Sequence, residues 1–168
     1  MIRGDWKSTK HGGRSITDGV AEALPGGRAG EGKIEMAVET LIIEDSTAAR
    51  NILKQRLTDI GCEIVGEAAD PVQGLSLFRS LAPKLVTLDL LMPVANQMDA
   101  KVLFSIIRSE SPGTAIIIIS SQAKATEQAE FLRQGAMAYF QKPFIDTNAL
   151  GVKLRQVFPD LPLQPMRR

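Results

Sequence analysis

Between residues 38 and 158 two hydrophobic patterns alternate along the chain. Short apolar runs rich in β-branched residues occur at 40–43, 63–65, 85–88, 115–119 and 138–140, and each is followed by a stretch in which apolar residues recur at helical spacing. Ala49, Ile52, Leu53, Leu57 and Ile60 make one stripe, with Gly61 as its stop. Val72, Leu75, Phe78 and Leu81 make the next, where Asp70-Pro71 supplies an N-cap and a proline at the first helical position and Gln73 is placed for a capping box. Val102, Leu103, Ile106 and Ile107 form a third, Phe131 and Leu132 belong to a fourth, and Leu150, Leu154, Val157 and Phe158 to a fifth. Five strand–helix alternations predict an α/β fold, a doubly wound five-stranded parallel sheet with helices on both faces. Such strands are buried on both sides and read as continuous apolar runs.

The ends lack this pattern. Residues 1–37 hold eight of the fourteen glycines and no sustained apolar period, so they cannot bury enough surface to offset their ordering entropy. They are read as a disordered, Gly-rich N-terminal extension, with Trp6 and His11 as solvated residues. Gly26-Gly27-Arg28-Ala29-Gly30-Glu31-Gly32 has no preceding strand and no terminal Gly-Lys-Ser/Thr, which speaks for a linker over a phosphate loop. Residues 159–168, with Pro159, Pro162 and Pro165, read as a Pro-rich surface tail.

Charge narrows the partners. Lys and Arg number 20 against 19 Asp and Glu, so no basic field argues for nucleic acid. One cysteine, Cys62, and one histidine, His11, exclude an internal disulfide and a Cys/His zinc site. With no apolar run near the roughly 20 residues a bilayer demands, a cytoplasmic protein without membrane insertion is expected.

In a doubly wound sheet, ligands bind beyond the carboxyl ends of the strands, where the strand order reverses. The first strand ends in Glu44-Asp45, the third in Asp89, the fourth in Ser120-Ser121, and the fifth leads to Lys142-Pro143. An order of 2-1-3-4-5 sets strands 1 and 3 side by side, so three carboxylates converge with a hydroxyl and a lysine beside them. Each residue also has an ordinary explanation: acids at a helix start, loop serines, a solvated lysine. Together, three clustered carboxylates call for a cation, and an all-oxygen donor set suits Mg²⁺.

Four motifs, Glu44-Asp45-Ser46 with Arg50, Asp89-Leu90-Leu91-Met92-Pro93, Ile119-Ser120-Ser121 and Tyr139-Phe140-Gln141-Lys142-Pro143-Phe144, fall in this order on alternating strands and helices. In them the sequence resembles the receiver domains of response regulators, the CheY-like family, over about residues 38–158. That resemblance implies a flavodoxin-like sheet and a role in two-component phosphorelay signalling. It implies that Asp89 accepts a phosphoryl group from a histidine kinase or phosphotransfer protein, and that Mg²⁺ is held by Glu44, Asp45, Asp89 and the backbone carbonyl of Leu91. Ser120 and Lys142 then contact the phosphoryl group, and Tyr139 is the aromatic switch. The readout is expected on the fourth helix, fifth strand and fifth helix, where a downstream protein binds. Leu91, Ser121 and Gln122 are candidates for tuning phosphate lifetime.

Three rival functions compete with this one. An Asp-nucleophile phosphatase needs a second acid two residues on, where this chain has Leu91. A pseudo-receiver would keep the fold without phosphorylation, yet every key side chain is present. A flavodoxin-like cofactor binder needs a Gly/Ser/Thr phosphate cradle after strand 1, and nothing there in this chain resembles one. A stand-alone, non-enzymatic receiver is expected, with Arg50 and Met98-Asp99 leaning towards the chemotaxis type. One departure from the family pattern stands out: Met98-Asp99 follows Met92-Pro93 about three residues late, and Ala100 replaces a glycine. Glycine there permits a backbone that alanine resists.

Overall fold

A computed structural model describes residues 37–121, 124–143 and 146–160. The expected extension up to residue 36, the tail from residue 161, and Gln122 and Phe144 lie outside the described residues.

The elements run β1 (Val38–Ile43), α1 (Thr47–Asp59), β2 (Cys62–Ala68), α2 (Pro71–Leu81), β3 (Leu85–Leu88), α3 (Ala100–Glu110), β4 (Ala115–Ser120), α4 (Ala125–Arg133), β5 (Ala138–Gln141) and α5 (Thr147–Val157). All four strand pairings are parallel, in the order β2-β1-β3-β4-β5, as expected. The alternating side chains of each strand feed two separate cores. Leu41, Ile43, Val86, Leu88, Ile116 and Ile118 pack with α2, α3 and α4. Ile42, Leu85, Ile117 and Ile119 pack with Leu53 and Leu57 of α1 and Leu150 and Leu154 of α5. Every residue of β3 and β4 is buried, which is why neither strand alternates in sequence.

The helix caps follow the local chemistry. Asp70 accepts the Gln73 N–H at 2.8 Å, and Pro71 opens α2. Gln73 reaches one residue further back than a capping box does, accepting from the Ala69 N–H at 2.9 Å. Gly61, at φ +90°, follows α1 in a conformation that L side chains rarely take.

Several stripe residues face water. Ile52 is 58% exposed, because Leu53, Leu57 and Ile60 centre the buried face of α1 about 100° away from it. Val102 sits nearly opposite the buried face of α3, which Ala100, Leu103, Phe104 and Ile107 make. Leu81, Leu132 and Val157 are likewise exposed at the margins of α2, α4 and α5.

The late Met98-Asp99 has a concrete form. Ala95 and Met98 exchange both backbone hydrogen bonds, at 3.0 and 2.9 Å, around Asn96 (φ +49°) and Gln97 (φ +62°). Two positive φ values inside a doubly bonded two-residue loop are the signature of a type I′ turn. Asp99 then caps α3 by accepting the Val102 N–H at 2.8 Å, and Ala100 is the first helical residue. The left-handed backbone expected at position 100 is taken up earlier, at Asn96 and Gln97, so alanine meets no strain.

Candidate functional site

The side chains gathered at the sheet edge rest on main chain that continues the sheet beyond its strands. The Glu44 N–H donates to Ala68 C=O, Asp89 N–H to Ile43 C=O and Lys142 N–H to Ser120 C=O, each at 3.0 Å. Three chain segments thus arrive in register on either side of the β1–β3 switch point. The backbone positions from which these side chains project are thereby fixed relative to one another.

Lys142 closes the site. Its ammonium lies 2.7 Å from Glu44 Oε2 and 2.7 Å from Asp89 Oδ2. Asp89 is 3% exposed and Glu44 2%, so this ion pair is held largely out of water, where charge attraction is strong and desolvation is costly. The other oxygens are engaged as well: Asp89 Oδ1 accepts the Leu91 N–H at 3.0 Å, and Glu44 Oε1 the Ser46 N–H at 3.3 Å. Burial pushes the Glu44 carboxyl up, with the Asp89 charge adding to it, against the pull of Lys142 and the Ser46 N–H. For Lys142 burial works downward, but the hydrogen bonds and charges of Asp89 and Glu44 outweigh it and raise its pKa, so it stays an ammonium.

Asp45 completes the acidic group from an exposed position. One oxygen from each of Glu44, Asp45 and Asp89 lies within 4.8 Å of the others. Three carboxylates face one ammonium, and their donors are all hard oxygens. That set fits a divalent cation of the Mg²⁺ or Ca²⁺ kind, with Asp45 left open to solvent for a hydrated ion. Ser46, read as part of the acidic motif, is the N-cap of α1 and accepts the Ala49 N–H at 3.3 Å.

The other predicted residues surround this centre. Ser120, fully buried, ends β4 and pairs in register with Gln141, one residue before Lys142. Ser121 is exposed and lines a cleft with Glu44, Lys142, Ile52 and Arg56. Leu91 is 45% exposed beside Asp89 and brings no carboxylate there. Tyr139 is 9% exposed and packs in the core beside α4, so in this structure its ring is already inside.

One contributor escaped the sequence reading. β2 is longer than predicted and carries Glu67 to the same edge, where it pairs with Arg50 at 3.3 Å and Lys54 at 2.6 Å. All five strands, and not four, deliver a polar group. The expected strand stops at residue 65, whereas β2 continues through Gly66 and Glu67 to Ala68.

The model of the response regulator receiver domain family matches residues 40–155. The chemotaxis protein CheY of Thermotoga maritima is 31% identical over 109 residues, 65% of this chain and 88% of its own length. A protein-glutamate methylesterase/protein-glutamine glutaminase of Xanthomonas oryzae pv. oryzae is 35% identical over 116 residues, 67% of this chain, but the match spans only 31% of that enzyme. Among solved structures, a CheX–CheY–BeF₃–Mg complex from Borrelia burgdorferi is similar at a TM-score of 0.65 and 28% identity, over 72% of this chain and 89% of that one.

Proposed function

Because the chain belongs to the response-regulator receiver family of two-component signalling, we propose that Asp89 is its phosphoacceptor and that phosphorylation switches the surface of α4, β5 and α5. The observation that carries this reading is a buried carboxylate in contact with a half-buried ammonium, beside two further acids that share one small volume.

Donors in this reading are a histidine kinase or a phosphotransfer protein, whose phosphohistidine enters from the solvent side of Asp45. An Asp89 carboxylate oxygen attacks phosphorus, the phosphorus–nitrogen bond breaks, and the imidazole leaves with the bonding pair. Glu44, Asp45, Asp89 and the Leu91 carbonyl would hold Mg²⁺, which when bound offsets the charge gathered on the phosphoryl oxygens. Lys142, already on Asp89, places its ammonium against the same oxygens. In-line phosphoryl transfer asks for such positioning and charge stabilisation more than for covalent machinery.

The acyl phosphate then recruits Ser120 through its hydroxyl and keeps Lys142, which biases the β4–α4 connection and the packing around Tyr139. Since the tyrosine ring already has an interior place, phosphorylation changes how firmly α4 is held over it. The output is capture of a protein partner, in the cytoplasm, with no chemistry of the chain's own beyond phosphotransfer and dephosphorylation. Residues 38–158 form the receiver unit in this reading.

Incubation with Mg²⁺ and acetyl phosphate, followed by intact-mass measurement, tests it. The wild type gains one phosphoryl group and Asp89→Asn gains none. Equal labelling of the two would refute the assignment.

A further inference from the structure

Arg50 lies outside the acidic cluster, yet its side chain is only 16% exposed and every arm of its guanidinium is engaged. Nη1 donates to the backbone carbonyl of Glu44 at 2.6 Å, Nη2 to Thr47 Oγ1 at 3.4 Å, and Nε faces Glu67 Oε2 at 3.3 Å. Lys54, one helical turn further along α1, grips the other oxygen of Glu67 at 2.6 Å. One planar group thus ties the end of β1, the first turn of α1 and the carboxyl end of β2 together.

The bond to the Glu44 carbonyl is the informative one. That oxygen belongs to the peptide plane joining Glu44 to Asp45, so its direction sets the outgoing bond from one acid and the incoming bond to the next. Glu44 has other restraints, in its N–H to Ala68 and its carboxylate to Lys142. Asp45 is exposed, and the clearest hold on its placement is this peptide plane. We propose that Arg50 is a positioning residue for the Glu44–Asp45 pair, oriented by Glu67, and that it sets the affinity of the acidic cluster for Mg²⁺.

The inference rests on the reading of that cluster as a Mg²⁺ site. Charge and positioning predict opposite signs here, which makes the two separable. A guanidinium near a cation site repels the cation, so neutralising it without structural consequence would tighten Mg²⁺ binding. If its work is to fix the peptide plane, removing it weakens binding even though a positive charge has gone. Lysine retains the charge but not the fork that reaches a carbonyl and a carboxylate at once.

Calorimetric titration of Mg²⁺ into the full chain tests this in the wild type, Arg50→Met and Arg50→Lys, with apo thermal melts as a check on folding. Both variants are expected to bind Mg²⁺ about tenfold more weakly than wild type, in line with the effect of partners that orient metal ligands. Binding as tight as wild type, or tighter, in Arg50→Met overturns the inference, and wild-type affinity in Arg50→Lys overturns the role of the fork. If Arg50→Met fails to fold, Arg50→Gln, which also removes both the charge and the fork, should weaken binding severalfold, and affinity as tight as wild type or tighter there overturns the proposal equally. A wild type that binds no Mg²⁺ refutes the metal site itself, and this role with it.

Discussion

Lys142 touches two buried carboxylates at once, and its loss has consequences for stability. Lys142→Ala would leave Glu44 and Asp89 facing each other with no ammonium between them, and for two buried carboxylates paired with a half-buried lysine that costs up to about 3 kcal/mol. We expect that deficit in urea unfolding in the presence of a chelator, and a narrower one in Mg²⁺, because a divalent cation takes over the missing charge. An equal deficit in both would assign the loss to packing of the lysine stem. Phosphorylation of Asp89 from acetyl phosphate should persist in this variant while partner binding fails. At this scale much of the site was legible: Glu44, Asp45, Asp89, Ser120 and Lys142 each stand at a strand exit, and in a parallel sheet exits converge. Arg50 was visible only as part of a family pattern. Its contacts with a backbone carbonyl and with Glu67 depend on how far β2 runs, and no local periodicity reports that.

The turn between β3 and α3 shows what sequence spacing can and cannot tell. The late Met98-Asp99 marked an irregularity beside Asp89, but not that the extra residues fold back on themselves as a doubly bonded turn. Gln97 occupies its second left-handed position, where glycine is the favoured residue. Gln97→Gly should therefore stabilise the protein by about 0.5–1 kcal/mol, measured by chemical denaturation, and a loss of stability would mean that the glutamine side chain contributes contacts of its own. Deleting residues 94–96 removes the turn next to Asp89, the proposed phosphoacceptor, and should alter the dephosphorylation rate, followed by decay of the labelled mass. The helical stripes show a similar limit. Period alone cannot place the centre of a buried face, so Ile52 and Val102 fall within the stripes although they are exposed, and Phe104 falls outside although it is buried.

Across the whole molecule, site and fold are coupled through the sheet. A cation held by groups from β1 and β3 binds only when those strands are paired, so on the proposed reading Mg²⁺ should stabilise the folded state by mass action. At ten times its dissociation constant the gain is about 1.4 kcal/mol, seen as a rise in Tm that saturates with concentration and reverses with chelator. Asp45→Asn should lose most of that rise, at little cost to the apo protein, since Asp45 is exposed. A full rise in this variant would remove Asp45 from the site. The two cores were the most legible feature at this scale, because five apolar runs of strand length between helical stripes leave few other architectures. Among the described residues, no helix is long and apolar enough to cross a membrane.

The backbone bonds that carry Glu44, Asp89 and Lys142 past the ends of their strands have a further consequence, on the slow timescale of amide hydrogen exchange. By position these are loop residues, and loops exchange early. Their N–H groups are nevertheless spent on the carbonyls of Ala68, Ile43 and Ser120, so they open only when the sheet opens. In deuterium oxide these three amides should outlast their neighbours and exchange with the buried strands. The site would then keep its shape through the local openings that let the loops around it vary.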